Sequence, residues 1–326
     1  MKNALFVLCA GLISAAALAE QARRPVSTYS IVARDPTTGD LGVAVQSHWF
    51  SVGSLVTWAE AGVGAVATQS FVEISYGPLG LELMRAGKTA QEALTALLQV
   101  DPQAAVRQVA MVDARGNVAV HTGANCIAAA GHESGEQFSV QANLMEQDSV
   151  WPAMAKAYNE AAGDLPERLM QALEAAEREG GDIRGRQSAA ILVVPGARNG
   201  PPWRNRTIDL RVEDHDEPLL ELRRLLGLKR AYLRMDEGDA AFSSGDVEGA
   251  LASYAAAAEL YPESAEVRYW QAVTLVGADR LEEALPIFAD VFADEPRWRV
   301  LVSRLPASGL LPDDRETIDR ILAVAP

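Results

Sequence analysis

Four groups of side chains have types and spacings that can do chemistry. Thr28, with Ser27 before it, puts a hydroxyl at the head of the alternating run Tyr29-Ser30-Ile31-Val32-Ala33-Arg34. Gln46-Ser47-His48 closes a second such run, and Ser51 and Ser54 follow in what reads as a flexible loop. A serine nucleophile needs a base. His48 is adjacent, but neighbouring strand residues face opposite sides, so Ser47 is better placed as a polar wall of a cleft than as half of a dyad. GGDIRGRQSA crowds Asp182, Arg184, Arg186, Gln187 and Ser188 into a glycine-rich loop. Its arginines can hold a carboxylate or phosphate by paired hydrogen bonds; an Asp182–arginine ion pair that staples the loop is the plainer use of the same residues. The spacing is not that of a phosphate-binding P-loop. Cys126 and His132 could meet across a turn, but two ligands make a weak metal site. No HExxH, paired CxxC or acidic calcium loop is present, so no metal and no cofactor is expected. His215, in VEDHDEP, reads as a solvated residue at a helix start.

The elements that must position these groups follow from periodicity. Tyr29–Arg34 and Leu41–Val45 alternate around DPTTGD, whose Asp35, Pro36 and Gly39 are turn residues; this predicts a hairpin. Residues 62–70 predict a strand of small residues, and residues 108–112 and 118–121 flank the turn DARGN as a second hairpin. Residues 138–144, 188–194 and 206–212 predict further strands. Thr89 and Glu92 form a capping box ahead of a helix with Ala90, Ala93, Leu94, Leu97 and Leu98 on one face. Helices are predicted over 149–162 and 164–179, the second ended by Gly180-Gly181, and over 216–226, closed by Gly227. Hairpins imply antiparallel pairing, so the order fits two sheets packed face to face with helices outside. A doubly wound sheet fits worse, because the βαβ alternation is missing.

After Lys229 the pattern turns to alanine-rich helices. Ala250, Tyr254 and Pro262 recur 34 residues on as Ala284, Phe288 and Pro296. That spacing is similar to tetratricopeptide repeats; Gly238 and Ala257 also match, whereas Val291 departs from the pattern. Two units are too few for a free-standing solenoid, so they are expected to lean on Lys229–Leu233 and on residues 298–324. The expected division is residues 28–228 for the sheet domain and 229–326 for the helical tail. The tail is expected to serve either as a protein or peptide partner surface over 229–296 or as a structural cap or dimer element.

The 326 residues have room for two domains, and 49% apolar residues can build a large core. A net charge of −15 argues against non-specific nucleic-acid binding, which needs a basic face. Lys2, the apolar run Ala4–Leu18 and the small-x-small site Ala17-Leu18-Ala19 predict a secretory signal over residues 1–19, with the mature chain starting near Glu20. The run is too short for a transmembrane anchor. The expected location is periplasmic or secreted, with no membrane span once the signal is gone. Cys126 would then be the sole cysteine, read as a small buried residue, so the fold must be held by core burial rather than a disulfide.

In order along the chain stand SIVARDPTTGDLGVAVQS, FSVGSLVTWAEAGVGAVATQS, YGPLGLELMRAG, HTGANCIAAAGH, VQANLM, GGDIRGRQSAAILVV and TIDLRVEDHDEPLLELRRLL. These words resemble the bacterial family of unknown function 1028, over residues 28 to 226. The resemblance implies an α+β four-layer αββα sandwich like that of N-terminal-nucleophile hydrolases, followed here by the small all-α helical-repeat domain. It implies amide (C–N) hydrolysis of a small amide or acylated compound, with Thr28 as nucleophile and its own α-amine as base. Oxyanion donors would then be N–H groups near Gly62–Gly64 or the side chains of Gln69 and Asn143. Export would leave Glu20–Ser27 ahead of Thr28, so a second cut is required; Arg23-Arg24 could attract a trimming protease. The alternative is a non-catalytic ligand-binding or partner-recruiting protein, or a homo-oligomer, on the same fold.

Overall fold

The structure, a computed structural model, describes residues 26–325. The expected signal over residues 1–19 and the start near Glu20 lie outside the described residues. β1 (Thr28–Arg34) and β2 (Leu41–Ser47) form the expected hairpin. Its turn is made by Asp35, whose Oδ1 accepts the N–H groups of Thr37 (2.8 Å) and Thr38 (3.0 Å), and by Gly39 at φ +80°, where a side chain would be strained. β8 (Phe138–Asn143) flanks β1 and β9 (Ser188–Val194) flanks β2; β7 (Gly131–Gly135) and β10 (Ile208–Val212) are the edges. This sheet runs β10-β9-β2-β1-β8-β7. The second sheet runs β3 (Thr57–Glu60), β4 (Gly64–Ser70), β5 (Arg107–Asp113) and β6 (Val118–Thr122). Every pairing in both sheets is antiparallel.

Strand alternation assigns the layers. Tyr29, Ile31 and Ala33 face α4 (Val150–Glu160), α5 (Leu165–Arg178) and the start of α6 (Pro218–Ser243), in one core with Met154, Leu169, Leu173 and Leu222. On the other side of β1, Val32 joins Leu41, Val43, Val45, Ala65, Ala67, Ala110 and Val112 between the sheets. The outer face of the second sheet, with Val66, Val109 and Met111, is covered by α2 (Tyr76–Arg85) and α3 (Ala90–Val100). The four layers are therefore α, β, β, α. Thr89 and Glu92 make the expected reciprocal cap of α3.

Two expectations change, and one strand is new. The segment holding Ser51 and Ser54 is not loop throughout. It contains a single turn, α1 (Gly53–Val56), and Ser54 Oγ donates to the Ser51 carbonyl at 2.8 Å. Gly53 is required there because a Cβ would lie 2.5 Å from that of Ala190. Residues 131–135 form β7, a strand too polar to show an apolar period. The helix expected to close at Gly227 continues to Ser243, so the boundary drawn at 228/229 falls inside α6. A glycine in a helix interior costs only about 1 kcal/mol. Burial on both sides outweighs that: Leu219, Leu222 and Leu226 enter the first core, while Ala231 and Met235 enter a second one with Tyr254 and Ala257.

The tail continues as α7 (Val247–Leu260), α8 (Ala265–Gly277), α9 (Leu281–Asp294), α10 (Arg297–Val302) and α11 (Arg315–Leu322). The repeat positions Ala250, Tyr254, Ala284 and Phe288 are all buried, and Gly238 lets Tyr254 approach: a Cβ would sit 2.7 Å from its ring. Val291, the departure from the repeat pattern, is also fully buried. Trp298, Val302, Leu305 and Ile321 close the end of this core, as expected of a short array that needs a cap. Among the described residues no helix is long and apolar enough to cross a membrane.

Candidate active site

The inter-sheet layer is apolar at one end and polar at the other. The inward positions alternate Val32, Ser30, Thr28 along β1 and Val45, Ser47 along β2. They run Ser139, Gln141, Asn143 on β8, Ala67, Gln69 on β4 and Ala110, Gln108 on β5. Because the strands are antiparallel, the polar members other than Ser139, which stands opposite Val32, converge on one end, and all are wholly buried. They are hydrogen-bonded as buried polar groups must be. Ser30 Oγ donates to Gln69 Oε1 (2.6 Å) and accepts from Gln141 Nε2 (2.5 Å). Gln69 Nε2 donates to Gln108 Oε1 (2.7 Å) and to the Thr28 carbonyl (3.2 Å). Asn143 Nδ2 donates to Gln108 Oε1 (2.9 Å), and Gln108 Nε2 reaches Thr122 Oγ1 (2.9 Å), itself 2.9 Å from His132 Nδ1.

Thr28 opens β1 at the rim of this network, between Ser47 of β2 and Asn143 of β8 in register. It is fully buried, and the chain continues ahead of it. Val26 makes a two-bond antiparallel bridge with Ser70, N to O at 2.7 Å and O to N at 3.0 Å, and its side chain belongs to the inter-sheet core. Thr28 Oγ1 donates to the Val26 carbonyl at 2.8 Å. The carbonyl of Ser27, the one attached to the Thr28 nitrogen, accepts from both Ser47 Oγ and Arg184 Nη2, the latter at 2.9 Å.

Arg184 is delivered there by the turn after α5. Gly180 (φ +101°) and Gly181 (φ +60°) reverse the chain, and Asp182 then bridges Met145 just beyond β8. Asp182 is buried and fixes the guanidinium: Oδ1 accepts from Arg184 Nε at 3.0 Å and Oδ2 from Nη2 at 2.7 Å. Asp182 Oδ2 also accepts the His48 N–H at 3.1 Å. The expected loop staple is therefore present, and it aims Arg184 at Ser27. Ser70 (φ +69°), the last residue of β4, and Leu144 (φ +57°), just after β8, are in left-handed conformations. Such strain costs of order 1–3 kcal/mol each and gathers at functional sites.

The remaining candidates separate. Ser47 and His48 form no dyad: Ser47 Oγ is spent on Ser27, and His48 Nδ1 lies 3.2 Å from the Arg186 carbonyl. Arg186 does not reach the site; its guanidinium binds Glu177 of α5 and Glu217 at the start of α6. Gly62–Gly64 lie at the far end of β4, and the Gly62 N–H is held by the Pro195 carbonyl, so these residues offer no oxyanion donors to Thr28. Gln69 and Asn143 are beside Thr28, but their amide N–H groups are already spent within the network. Asn143 Oδ1 and Ser27 Oγ are buried without a hydrogen-bond partner among the described residues. Cys126 Sγ points to the Arg107 carbonyl and His132 to Thr122, so they do not share a ligand position. Burial pushes the Cys126 thiol up, which keeps it protonated and a poor nucleophile. Exposed His215 accepts the Glu217 N–H at 2.9 Å at the start of α6.

Sequence reasoning missed Ser30, Gln108 and Gln141. Their signal is a polar residue at each inward position near one end of β1, β5 and β8, where alternation would otherwise place Val or Ala. A groove of about 350 Å³ beside Trp58, Arg85, Arg198 and Glu60 lies at the opposite end of the second sheet, and the guanidiniums of Arg85 and Arg198 are occupied by Glu60.

A tetratricopeptide-repeat model matches residues 241–305. A crystal structure of a protein from Silicibacter pomeroyi, of the same family of unknown function that matches below, is 30% identical. It superposes with a TM-score of 0.55 over 61% of this chain and 84% of that one. Anbu, the ancestral beta-subunit from Yersinia bercovieri, aligns at 13% identity and TM-score 0.32, over 61% of this chain and 93% of its own. That likeness is too slight to carry an argument. No curated protein matches the chain. The model of the family of unknown function DUF1028 matches residues 28–222, more than half of the sequence, and the chain belongs to that family.

Proposed function

We propose that this protein hydrolyses an amide bond with Thr28 as an N-terminal nucleophile, once the Ser27–Thr28 bond has been cut. The observation that carries the reading is the cradle around the Ser27 carbonyl. Two donors, one of them a guanidinium fixed by a buried carboxylate, sit where an amide carbonyl next to Thr28 would develop negative charge. In the cut chain the Thr28 amine takes the hydroxyl proton as Oγ1 bonds to the amide carbon. Ser47 and Arg184 hold the oxyanion. The C–N bond breaks, and the leaving nitrogen takes the proton from the Thr28 ammonium. Water then adds to the ester with the amine accepting its proton, the C–O bond to Thr28 breaks, and Oγ1 recovers the proton as the acid leaves. Asn143, opposite Thr28 in register and with its Oδ1 unpaired among the described residues, is our candidate to accept an N–H from the ammonium.

The second reading, a non-catalytic ligand- or partner-binding protein, is favoured by one observation: Thr28 is internal and wholly buried in the continuous chain. The repeat-like tail supplies a helical surface of the type that binds proteins, and export to the periplasm remains part of the proposal. Intact-mass measurement and a screen of small amides and acylated amino acids decide between the readings. Hydrolysis is expected from a preparation beginning at Thr28 and lost in Thr28→Ala, with thermal unfolding little changed. Full activity in a chain that retains Ser27, or in Thr28→Ala, refutes the nucleophile.

A further inference from the structure

Val26, bridged to Ser70, and Ser27 fill the space directly before the nucleophile. Every polar backbone atom of Val26 is bonded: its N–H and C=O to Ser70, its C=O also to Thr28 Oγ1. Its side chain is 1% exposed in the apolar layer with Val45, Val52 and Val72. Ser27 is fully buried, its carbonyl held by Ser47 and Arg184, and its hydroxyl has no partner among the described residues. The enclosure admits a small side chain.

Resting on the reading of Thr28 as nucleophile, we infer that these two residues outline the acyl subsite, and that the substrate is an extended N-acyl dipeptidyl amide with an aliphatic residue followed by a small one. After the cut, the departing chain leaves the Ser70 backbone pair, the aliphatic slot and the carbonyl cradle for such a ligand. Backbone pairing with a strand end supplies affinity, and the two side-chain enclosures supply selectivity. Charged or bulky residues are rejected, since a buried charge without a partner is costly and the enclosure around Ser27 is closed.

The test uses a preparation beginning at Thr28, its folding checked by circular dichroism and thermal melting, together with its Thr28→Ala form. The probes are acetyl-Val-Ser amide, acetyl-Val-Trp amide and acetyl-Asp-Ser amide. Expected are binding of the first to the Thr28→Ala form, its hydrolysis to acetyl-Val-Ser and ammonia by the Thr28 form, and at least tenfold weaker binding of the other two. Hydrolysis of other amides without preference for the Val-Ser probe overturns the subsite and leaves the nucleophile standing. Selective binding without hydrolysis does the reverse. Absence of binding overturns the subsite. So does a chain that cannot fold from Thr28, because Val26 and Ser27 would then be core rather than occupants.

Discussion

At the residue scale, two side-chain donors converge on one carbonyl, that of Ser27. An arginine alone at a rim would be an ordinary surface cation, but Asp182 binds Arg184 through two of its nitrogens and removes the freedom to swing away. Ser47 contributes the second donor from the opposite strand. Ser47→Ala, measured on a preparation beginning at Thr28, is expected to lower kcat by roughly 10²–10³-fold, the usual loss for one oxyanion donor, with KM little changed. An equal rise in KM with kcat intact would make Ser47 a ground-state binding group instead. Tyr29, on the other face of β1, has no such role: burial first and then Glu177, to which it donates at 2.5 Å, hold its hydroxyl protonated well above the ordinary range.

At the element scale, α5 and α6 are joined by charge as well as by packing. Arg223 donates to both oxygens of Glu167 at 2.7 Å and to Glu174, and Arg230 reaches Glu167 and Asp164. Burial pushes the Glu167 carboxyl up, but the hydrogen bonds from Arg223, Gln171 and Arg230 outweigh it and bring it to about 2, from an ordinary 4.5. The folded value lies below the unfolded one, so folding favours the ionised form. That stabilisation is complete above about pH 4.5 and fades as pH falls toward about 2. Thermal melts of Glu167→Gln across this window are expected to show a shallower acid limb than the wild type. An unchanged limb would place the acid sensitivity in other carboxylates. The groups are partly solvated, so the effect is modest.

At the scale of the whole molecule, α6 couples the sandwich to the tail: its first turns belong to one core and its later turns to another. A chain ended after Leu228 loses Arg230 and with it the ion pairs to Glu167 and Asp164, and leaves the helix fraying at its new terminus. It is expected to melt several degrees below a chain ended after Ser243, since about 1 kcal/mol corresponds to roughly 2–4 °C at this size. Equal melting temperatures would show that the sandwich does not depend on the continuation of α6.

Much of the architecture was legible in the residues. The Asp35–Gly39 turn, the Thr89–Glu92 cap and the alternation of β1, β2, β4 and β5 are local signals, set by neighbours in the chain. The 34-residue recurrence of Ala250 and Tyr254 marks the tail in the same way. The polar end of the inter-sheet layer was not legible as a unit, because its members come from five strands spread between Thr28 and Asn143. Only the antiparallel register brings them together. Gly227 misled because a glycine stops a helix only when burial does not carry the helix onward. The Ser27 cradle likewise depends on tertiary structure: Arg184 stands 157 positions from the carbonyl it meets, and only the folded turn behind β8 closes that separation. Local propensity selects the elements; long-range packing, which no short window of sequence contains, decides which side chains share a site.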